Sequence, residues 1–287
     1  MKPDVRCFFD DRTNTATYVV SDPETKRAAI VDPVLDFDPV SGRTWTESTD
    51  RVIAHVEEAG LAVDWILETH VHADHLTAAP ALKARYGART GIGAAIVTVQ
   101  KTFGELFNVL GEMPADGSQF DSLFADGATF NIGGIEGRVV STPGHTPACS
   151  TYVIGDACFV GDTLFMPDSG TARCDFPGGD AKQLFASIQK ILSLPGETRM
   201  FVCHDYGAGG TRDFRWETTV AEQMEANIHV GGGALEHDYV QMRRTRDATL
   251  SLPRLILPSV QINMRAGVFP PPESNGVSYI KIPLNKV

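Results

Sequence analysis

The chain has 287 residues, of which 43% are hydrophobic and 21% charged, a composition typical of a globular protein with a sizeable core. Its formal net charge of −11 argues against non-specific binding to nucleic acid or to anionic membranes. The N-terminal residues lack the apolar core of a signal peptide, and no apolar run approaches the roughly 18 residues of a membrane helix. Five cysteines without CxxC spacing indicate a reducing compartment. The sequence therefore predicts a cytoplasmic protein that binds neither nucleic acid nor membrane.

Hydrophobic periodicity and turn residues predict alternating strands and helices in both halves of the chain. In the first half we expect strands at 5–9, 16–20, 28–31, 63–67 and 90–93, helices at 48–59, 76–86 and 95–110, and loops at 32–46 and 113–124. In the second half we expect strands at 129–132, 137–141, 150–154, 158–160 and 200–203, helices at 181–192, 216–228 and 239–249, and an irregular segment at 253–287. No linker of low complexity divides the chain. Residues 1–230 are therefore predicted to form one α/β domain, with residues 231–287 as a C-terminal extension packed on it.

A dense group of metal-ligand side chains directly follows the predicted strand at 63–67. Within six positions stand His70, His72, Asp74 and His75, which include three of the eight histidines of the chain. Three more ligand-type residues follow predicted strands downstream, namely His145, Asp162 and His204. Because the carboxyl ends of strands meet at an edge of a sheet, all these side chains are expected to converge. Imidazole and carboxylate together suit zinc, iron and related transition ions.

The run His70-Val71-His72-Ala73-Asp74-His75, with the three downstream residues, resembles the HxHxDH signature of the metallo-β-lactamase superfamily. The resemblance implies a four-layer αββα sandwich with a metal site at one edge. It leaves the reaction open, because one fold supports many chemistries.

Two branches of that superfamily imply different metal sites. Glyoxalase II-type thioesterases and the lactonases imply two zinc ions per chain, held by all seven ligand-type residues. Persulfide dioxygenases imply one Fe(II) per chain, with ligands that match His70, His145 and Asp162. In that second case His72, Asp74, His75 and His204 form a supporting shell rather than a second metal site. Two histidines and one carboxylate on one face are typical of non-haem Fe(II) oxygenases.

Several short strings favour the dioxygenase branch. Ala73 is the small residue that this branch has before the aspartate of the signature. The strings at 161–164 with 173–176, at 204–206 and at 263–267 resemble its GD…RTDF, HDY and NMR-containing segments. Cys174 departs from the pattern, which has threonine there. The resemblance implies oxidation of glutathione persulfide with O2 to sulfite and glutathione, and the alternative is a dizinc thioesterase or lactonase.

Four side chains are candidates for binding the carboxylates of glutathione, because a guanidinium matches a carboxylate with two parallel hydrogen bonds. They are Arg173, Arg212, Arg265 and Tyr206. Asp175 could hold Arg173 in place, whereas simple surface ion pairing is the alternative for each arginine. The resemblance also implies a homodimer, and any sulfurtransferase partner would be a separate chain.

Overall fold

The computed structural model describes residues 2–286, which form three β-sheets with helices packed outside them. The strands are β1 (Asp4–Asp10), β2 (Thr15–Ser21), β3 (Arg27–Val31), β4 (Val34–Asp38), β5 (Arg43–Trp45), β6 (Ala62–Leu67), β7 (Leu76–Thr77), β8 (Arg89–Gly93), β9 (Ser122–Phe124), β10 (Thr129–Ile132), β11 (Ile135–Ser141), β12 (Ser150–Ile154), β13 (Ala157–Phe159), β14 (Arg199–Phe201) and β15 (Glu217–Thr219). The helices are α1 (Glu47–Glu58), α2 (Ala79–Tyr86), α3 (Ile96–Leu106), α4 (Ala181–Leu192), α5 (Gly207–Gly210), α6 (Val220–Ala226), α7 (Glu236–Asp247) and α8 (Ile256–Asn263). Short 3-10 turns lie at Gly161–Thr163 and Gly231–Gly233.

Two six-stranded sheets form the centre of the molecule. The first has the strand order β1-β2-β3-β6-β8-β9, and the second runs from β10 to β15 in sequence order. The third sheet, β5-β4-β7, lies beside the loop that carries the HxHxDH run. β3, β6, β8 and β9 are parallel to one another, as are β13 and β14. The segments after β6, β11, β13 and β14 carry the ligand-type residues, so strand direction decides where these side chains lie.

The two large sheets face each other across an aromatic core. Tyr18 of the first sheet meets Phe159 and Phe201 of the second, with ring centroids 5.3 and 5.4 Å apart. Outside the first sheet, α1 and α2 bury residues such as Val52 and Leu82 against it. Outside the second sheet, α4, α6 and α7 form another buried cluster. The layers are therefore helix, sheet, sheet, helix, as the sequence predicted.

The two helices of the segment 231–287 contribute to separate buried clusters. Tyr239 of α7 packs with α4 and the second sheet. Val260 of α8 packs with Val99 and Phe103 of α3. The boundary at residue 230 stays a prediction. None of the helices among residues 2–286 combines the length and apolar character needed to cross a bilayer.

Several predicted elements differ from the structure, mostly where a short strand is held by distant pairing. The loop at 32–46 contains β4 and β5, the loop at 113–124 contains β9, the helix at 216–228 begins with β15, and the irregular segment at 253–287 contains α8. The helix predicted at 76–86 was wrong in its first turn, because residues 76–77 pair with β4 as β7. Pro80 in the first turn of α2 lacks an N–H and suits a helix start there.

Candidate metal centre

His70, His145 and Asp162 converge at one end of the two sheets. One ligand atom of each lies within 4.8 Å of those of the other two. The Nε2 atoms of His70 and His145 lie 3.9 and 3.6 Å from Asp162 Oδ2. His70 follows β6, His145 lies between β11 and β12, and Asp162 follows β13. The structure thus brings together the three residues that the resemblance to persulfide dioxygenases implies as ligands of a single iron.

The other four ligand-type residues lie directly beside this group. His204 Nε2 is 3.4 Å from Asp74 Oδ2 and 3.3 Å from Asp162 Oδ1. His75 Nδ1 is 3.2 Å from Asp74 Oδ2. Asp162 therefore contacts both groups of side chains, and its carboxylate is placed where it could serve either one metal ion or two.

Unpartnered buried polar atoms show that these residues fit a metal ion. The Nε2 atoms of His70, His75 and His204, the Nδ1 atom of His72 and Oδ1 of Asp162 are buried without a hydrogen-bond partner. Such atoms are costly to bury unless something binds them. Their chemistry, imidazole nitrogen and carboxylate oxygen, is that of zinc or iron ligands.

His72 differs from the other histidines because one of its nitrogens is already engaged by carboxylates. Its Nε2 lies 2.9 Å from Asp32 Oδ1 and 3.5 Å from Glu68 Oε2, and all three side chains are buried. Asp32 also accepts hydrogen bonds from the N–H and the hydroxyl of Thr69. Only Nδ1 of His72 remains for a metal ion. No sequence pattern indicates that Asp32 belongs to the site.

Backbone carbonyls fix the orientation of two histidine rings. His145 Nδ1 donates to the carbonyl of Arg173 at 2.7 Å, and His204 Nδ1 donates to the carbonyl of Asn14 at 3.1 Å. In the neutral ring such a bond places the proton on Nδ1, so that Nε2 is the atom available to a metal ion.

Close backbone packing brings Asp162 to this position. Gly161 has φ +51°, and a Cβ atom there would lie 2.6 Å from Thr69 Oγ1. A residue with a side chain would be strained by both the conformation and the contact. The glycine before Asp162 is therefore required for the loop after β13 to approach the loop after β6.

Burial and charge shift the pKa values of the histidines in opposite directions. Burial, followed by the nearby rings of His72 and His145, lowers the pKa of His70 well below its usual value. Burial also acts to lower the pKa of His204, but the carboxylates of Asp74 and Asp162 outweigh it and raise that pKa. The neutral ring of His70 is the form that binds metal, whereas His204 must lose a proton to do so.

A cavity of about 550 Å³ opens above the ligand-type residues. Arg173 and Tyr206 line it, and their role in binding substrate stays a prediction. Both oxygens of Asp175 accept hydrogen bonds from the Arg173 guanidinium at 2.6 and 2.7 Å. Phe176 packs on the ring of His145 with 5.2 Å between centroids and forms part of the apolar wall.

Arg212 and Arg265 do not line this cavity, and their role in binding substrate stays a prediction. The guanidinium of Arg212 is paired with Asp168 and Asp205. Arg265 is buried and faces Glu112 at 3.2 Å. The sequence alone does not show which carboxylate pairs with a given arginine in the folded protein.

Two arginines of α7 line the cavity although the sequence did not single them out. Arg243 is almost completely buried, whereas Arg246 is exposed at the mouth of the cavity. In the sequence these two arginines look like part of an ordinary solvent-exposed face of a polar helix. Only the packing of α7 against the second sheet places them near the metal-ligand residues.

The cysteines near the site are poorly suited to act as nucleophiles. Burial raises the pKa of Cys149 and of Cys174 to about 12 in each case, so neither is a thiolate at neutral pH. The buried Sγ of Cys203 lies 3.7 Å from Asp32 Oδ2, beside the metal-ligand residues.

A family model described as the metallo-β-lactamase superfamily matches residues 10–204, so the chain belongs to that superfamily. It is an enzyme of a metal-binding class, and its His and Asp cluster is the metal site.

Proteins similar to this chain include some named as hydrolases and some named as persulfide dioxygenases. It is 53% identical to a probable metallo-hydrolase of Burkholderia pseudomallei, with 99% of both chains covered. It is 56% identical to a beta-lactamase hydrolase-like protein of Xylella fastidiosa, of which it spans only 65%. It is 28% identical to the human persulfide dioxygenase ETHE1 over 93% of this chain and 90% of the human one. Among solved structures, ETHE1 from Myxococcus xanthus has a TM-score of 0.73 and 30% identity, covering 92% of this chain and all of the other.

Proposed function

We propose that this enzyme is a persulfide dioxygenase that oxidises glutathione persulfide with O2 to sulfite and glutathione, using one Fe(II) held by His70, His145 and Asp162. The observation that carries the proposal is the cluster of these three side chains, within 4.8 Å of one another beneath the cavity. Two histidines and a carboxylate on one side leave open positions on the other, which is the arrangement of non-haem Fe(II) oxygenases. The likeness to proteins named persulfide dioxygenase, extending over 93% of the chain, supports the same reaction.

A bound iron would supply open coordination positions at which O2 and the persulfide sulfur come together. The electrons that reduce O2 come from the outer sulfur of the persulfide, and the third oxygen of sulfite comes from the water that cleaves the oxidised sulfur–sulfur bond. The protein's own residues bind and orient the substrate. Arg173 and Arg246 line the cavity with positive charge that suits the two carboxylates of glutathione. Arg173 is held by Asp175, so its direction is set before substrate arrives. Phe165 and Phe176 line the same cavity and limit the access of water.

His72 takes a supporting role in this proposal. Its Nε2 is engaged by Asp32 at 2.9 Å, and its main-chain carbonyl accepts a hydrogen bond from Asn263 at 2.9 Å. Because both the side chain and the main chain of His72 are hydrogen-bonded, this residue fixes the loop that carries His70. Such outer partners orient the ligands that touch the metal.

The test is to measure metal content and oxygen consumption of the purified protein. We expect one iron per chain, and O2 uptake with sulfite formation when glutathione persulfide is added. A His145→Ala variant, purified in parallel, should lose both the iron and the O2 uptake. Iron-loaded protein that consumes no O2 with any persulfide would overturn the proposal.

A second candidate, a dizinc thioesterase or lactonase, is favoured by one specific observation. Nε2 of His75 and of His204 are buried without partners, and Asp74 and Asp162 lie beside them. This is a second set of free ligand atoms, with Asp162 placed between the two sets. The hydrolase names of relatives at 53% and 56% identity agree with it. Two zinc ions per chain with thioester or lactone hydrolysis would establish this function in place of the first.

A further inference from the structure

The buried Arg243 of α7 is the starting point, because a guanidinium is rarely buried unless it is fully paired. Only 1% of Arg243 is exposed. Its Nε donates to Asp247 Oδ1, one turn further along α7, at 2.8 Å, and its Nη2 lies 2.6 Å from the same oxygen in an ion pair. Its Nη1 donates to the carbonyl of Thr171 at 3.0 Å. The charge is thus compensated within the chain, and part of the compensation comes from the loop that walls the metal site.

Asp247 holds the same loop at a second point. Its Oδ2 accepts a hydrogen bond from the N–H of Cys174 at 2.9 Å and one from Cys174 Sγ at 3.4 Å. Asp247 is itself buried, with 4% exposed. The ion pair on α7 therefore binds the backbone of residues 171–174 at its first carbonyl and its last N–H, through charge-assisted hydrogen bonds.

Between these two points lies the carbonyl that orients a metal ligand. The Arg173 carbonyl accepts the Nδ1 proton of His145 at 2.7 Å. Asp247 engages the N–H of the next residue, and this N–H belongs to the same peptide unit as the Arg173 carbonyl. Because a peptide unit is planar, holding its N–H fixes the direction of its carbonyl.

We propose that the Arg243–Asp247 pair is a positioning device for the metal site, which acts through the 173–174 peptide to hold His145 in its metal-binding orientation and tautomer. The C-terminal segment of the chain is thereby connected to the metal centre without touching the metal. The inference rests on the metal site and not on the proposed reaction, so it holds equally for an iron or a zinc centre.

The test is the metal affinity of the variant Asp247→Asn, measured by competition with a coloured chelator. The variant keeps the shape of the side chain but removes the charge that pairs with Arg243. We expect binding of Zn²⁺ and Co²⁺ to weaken by about 10–100-fold, the range seen when partners of metal ligands are removed. The visible absorption bands of the Co²⁺-loaded variant should also shift, because they respond to ligand geometry.

A matched control separates positioning from general destabilisation. Asp22 is also buried and accepts hydrogen bonds from backbone N–H groups, including Gly134 at 2.8 Å, but it lies away from the metal-ligand residues. Asp22→Asn should lower the thermal unfolding temperature while leaving metal affinity and the Co²⁺ spectrum unchanged. Equal loss of metal affinity in both variants would overturn the proposal, as would unchanged affinity in Asp247→Asn.

A second readout reports directly on His145. In zinc-loaded protein labelled with ¹⁵N-histidine, its hydrogen-bonded Nδ1 proton should give a downfield signal that is absent from His145→Gln. In Asp247→Asn we expect the signal to move and its proton to exchange faster with water. Arg243→Lys keeps a positive charge beside Asp247 and should leave the signal close to its wild-type position, whereas Arg243→Gln removes the charge and should move it. This pair of variants carries the test if Asp247→Asn does not fold. A signal in Asp247→Asn identical to that of the wild type would contradict the inference.

Discussion

Replacing Asn263 with alanine removes three hydrogen bonds that fix the loop carrying the metal-ligand residues. The Nδ2 group donates to the main-chain carbonyls of His72 at 2.9 Å and His75 at 2.7 Å, and Oδ1 accepts from the N–H of Thr77 at 2.9 Å. Asn263 is buried, with 4% exposed. The side chain therefore spans both ends of the segment 72–77.

The expected magnitude follows from these contacts. Each hydrogen bond contributes about 1 kcal/mol net, and buried groups left without a partner cost about 1–3 kcal/mol each. Partial rescue by water is expected at some of the three positions. We therefore predict that Asn263→Ala lowers the free energy of unfolding by about 3–5 kcal/mol.

Urea unfolding of the metal-free protein, followed by far-UV circular dichroism, measures this change. Asn275→Ala is the control, because Asn275 is also an asparagine in the C-terminal segment but is exposed, and we expect its effect to stay within about 0.5 kcal/mol. A loss below about 1 kcal/mol in Asn263→Ala would refute the argument that this side chain braces the loop.

Three further predictions concern the ligands, the cavity and pH. His72→Ala should retain most of the iron whereas His145→Ala loses it, as measured by elemental analysis; equal loss from both would favour two metal ions. Arg246→Ala should raise KM for glutathione persulfide about 5-fold or more with kcat little changed, as expected for loss of about 1 kcal/mol of binding, whereas Arg244→Ala, which does not line the cavity, should leave KM unchanged. Burial, followed by the charges of two arginines of α7, lowers the pKa of His229 to about 4. In the unfolded chain this histidine is therefore protonated below about pH 6.5, whereas in the folded chain it is protonated only below about pH 4. The free energy of unfolding should therefore fall more steeply between pH 6.5 and pH 4 in the wild type than in His229→Gln, and parallel curves would contradict the assignment.

Much of the metal site could be predicted because its ligand types are concentrated in sequence. His70, His72, Asp74 and His75 occupy one loop after a strand, and that strand is apolar apart from Asp64. The helix at 181–192 was also predicted with the observed bounds, because its apolar spacing is strong and Asp180 caps it by accepting from the N–H of Gln183.

The parts that could not be predicted depend on contacts between distant segments. Asp32 reaches His72 across forty positions, and Asn263 reaches the same loop from near the end of the chain. Neither residue stands in a pattern of its own. The short strands β4 and β7 pair only with each other and with β5. They are too short to show the alternation that marks a longer strand.

The placement of charged side chains was least predictable. Arg173, Arg212 and Arg265 are each paired with a carboxylate, yet of these three only Arg173 lines the cavity. Arg246 lies on a helix of low hydrophobicity and reaches the cavity only because α7 packs there. Which guanidinium faces substrate is decided by tertiary packing rather than by local sequence.

The central claim is that three side chains hold one iron for oxygen chemistry, and it is tested most directly by titrating metal-free protein anaerobically with Fe(II) and then measuring O2 uptake with glutathione persulfide. The account predicts that O2 uptake saturates at one iron per chain, with sulfite as a product, and that added zinc inhibits it. Saturation at two metal ions per chain, with zinc supporting thioester or lactone hydrolysis and no O2 uptake, would contradict it.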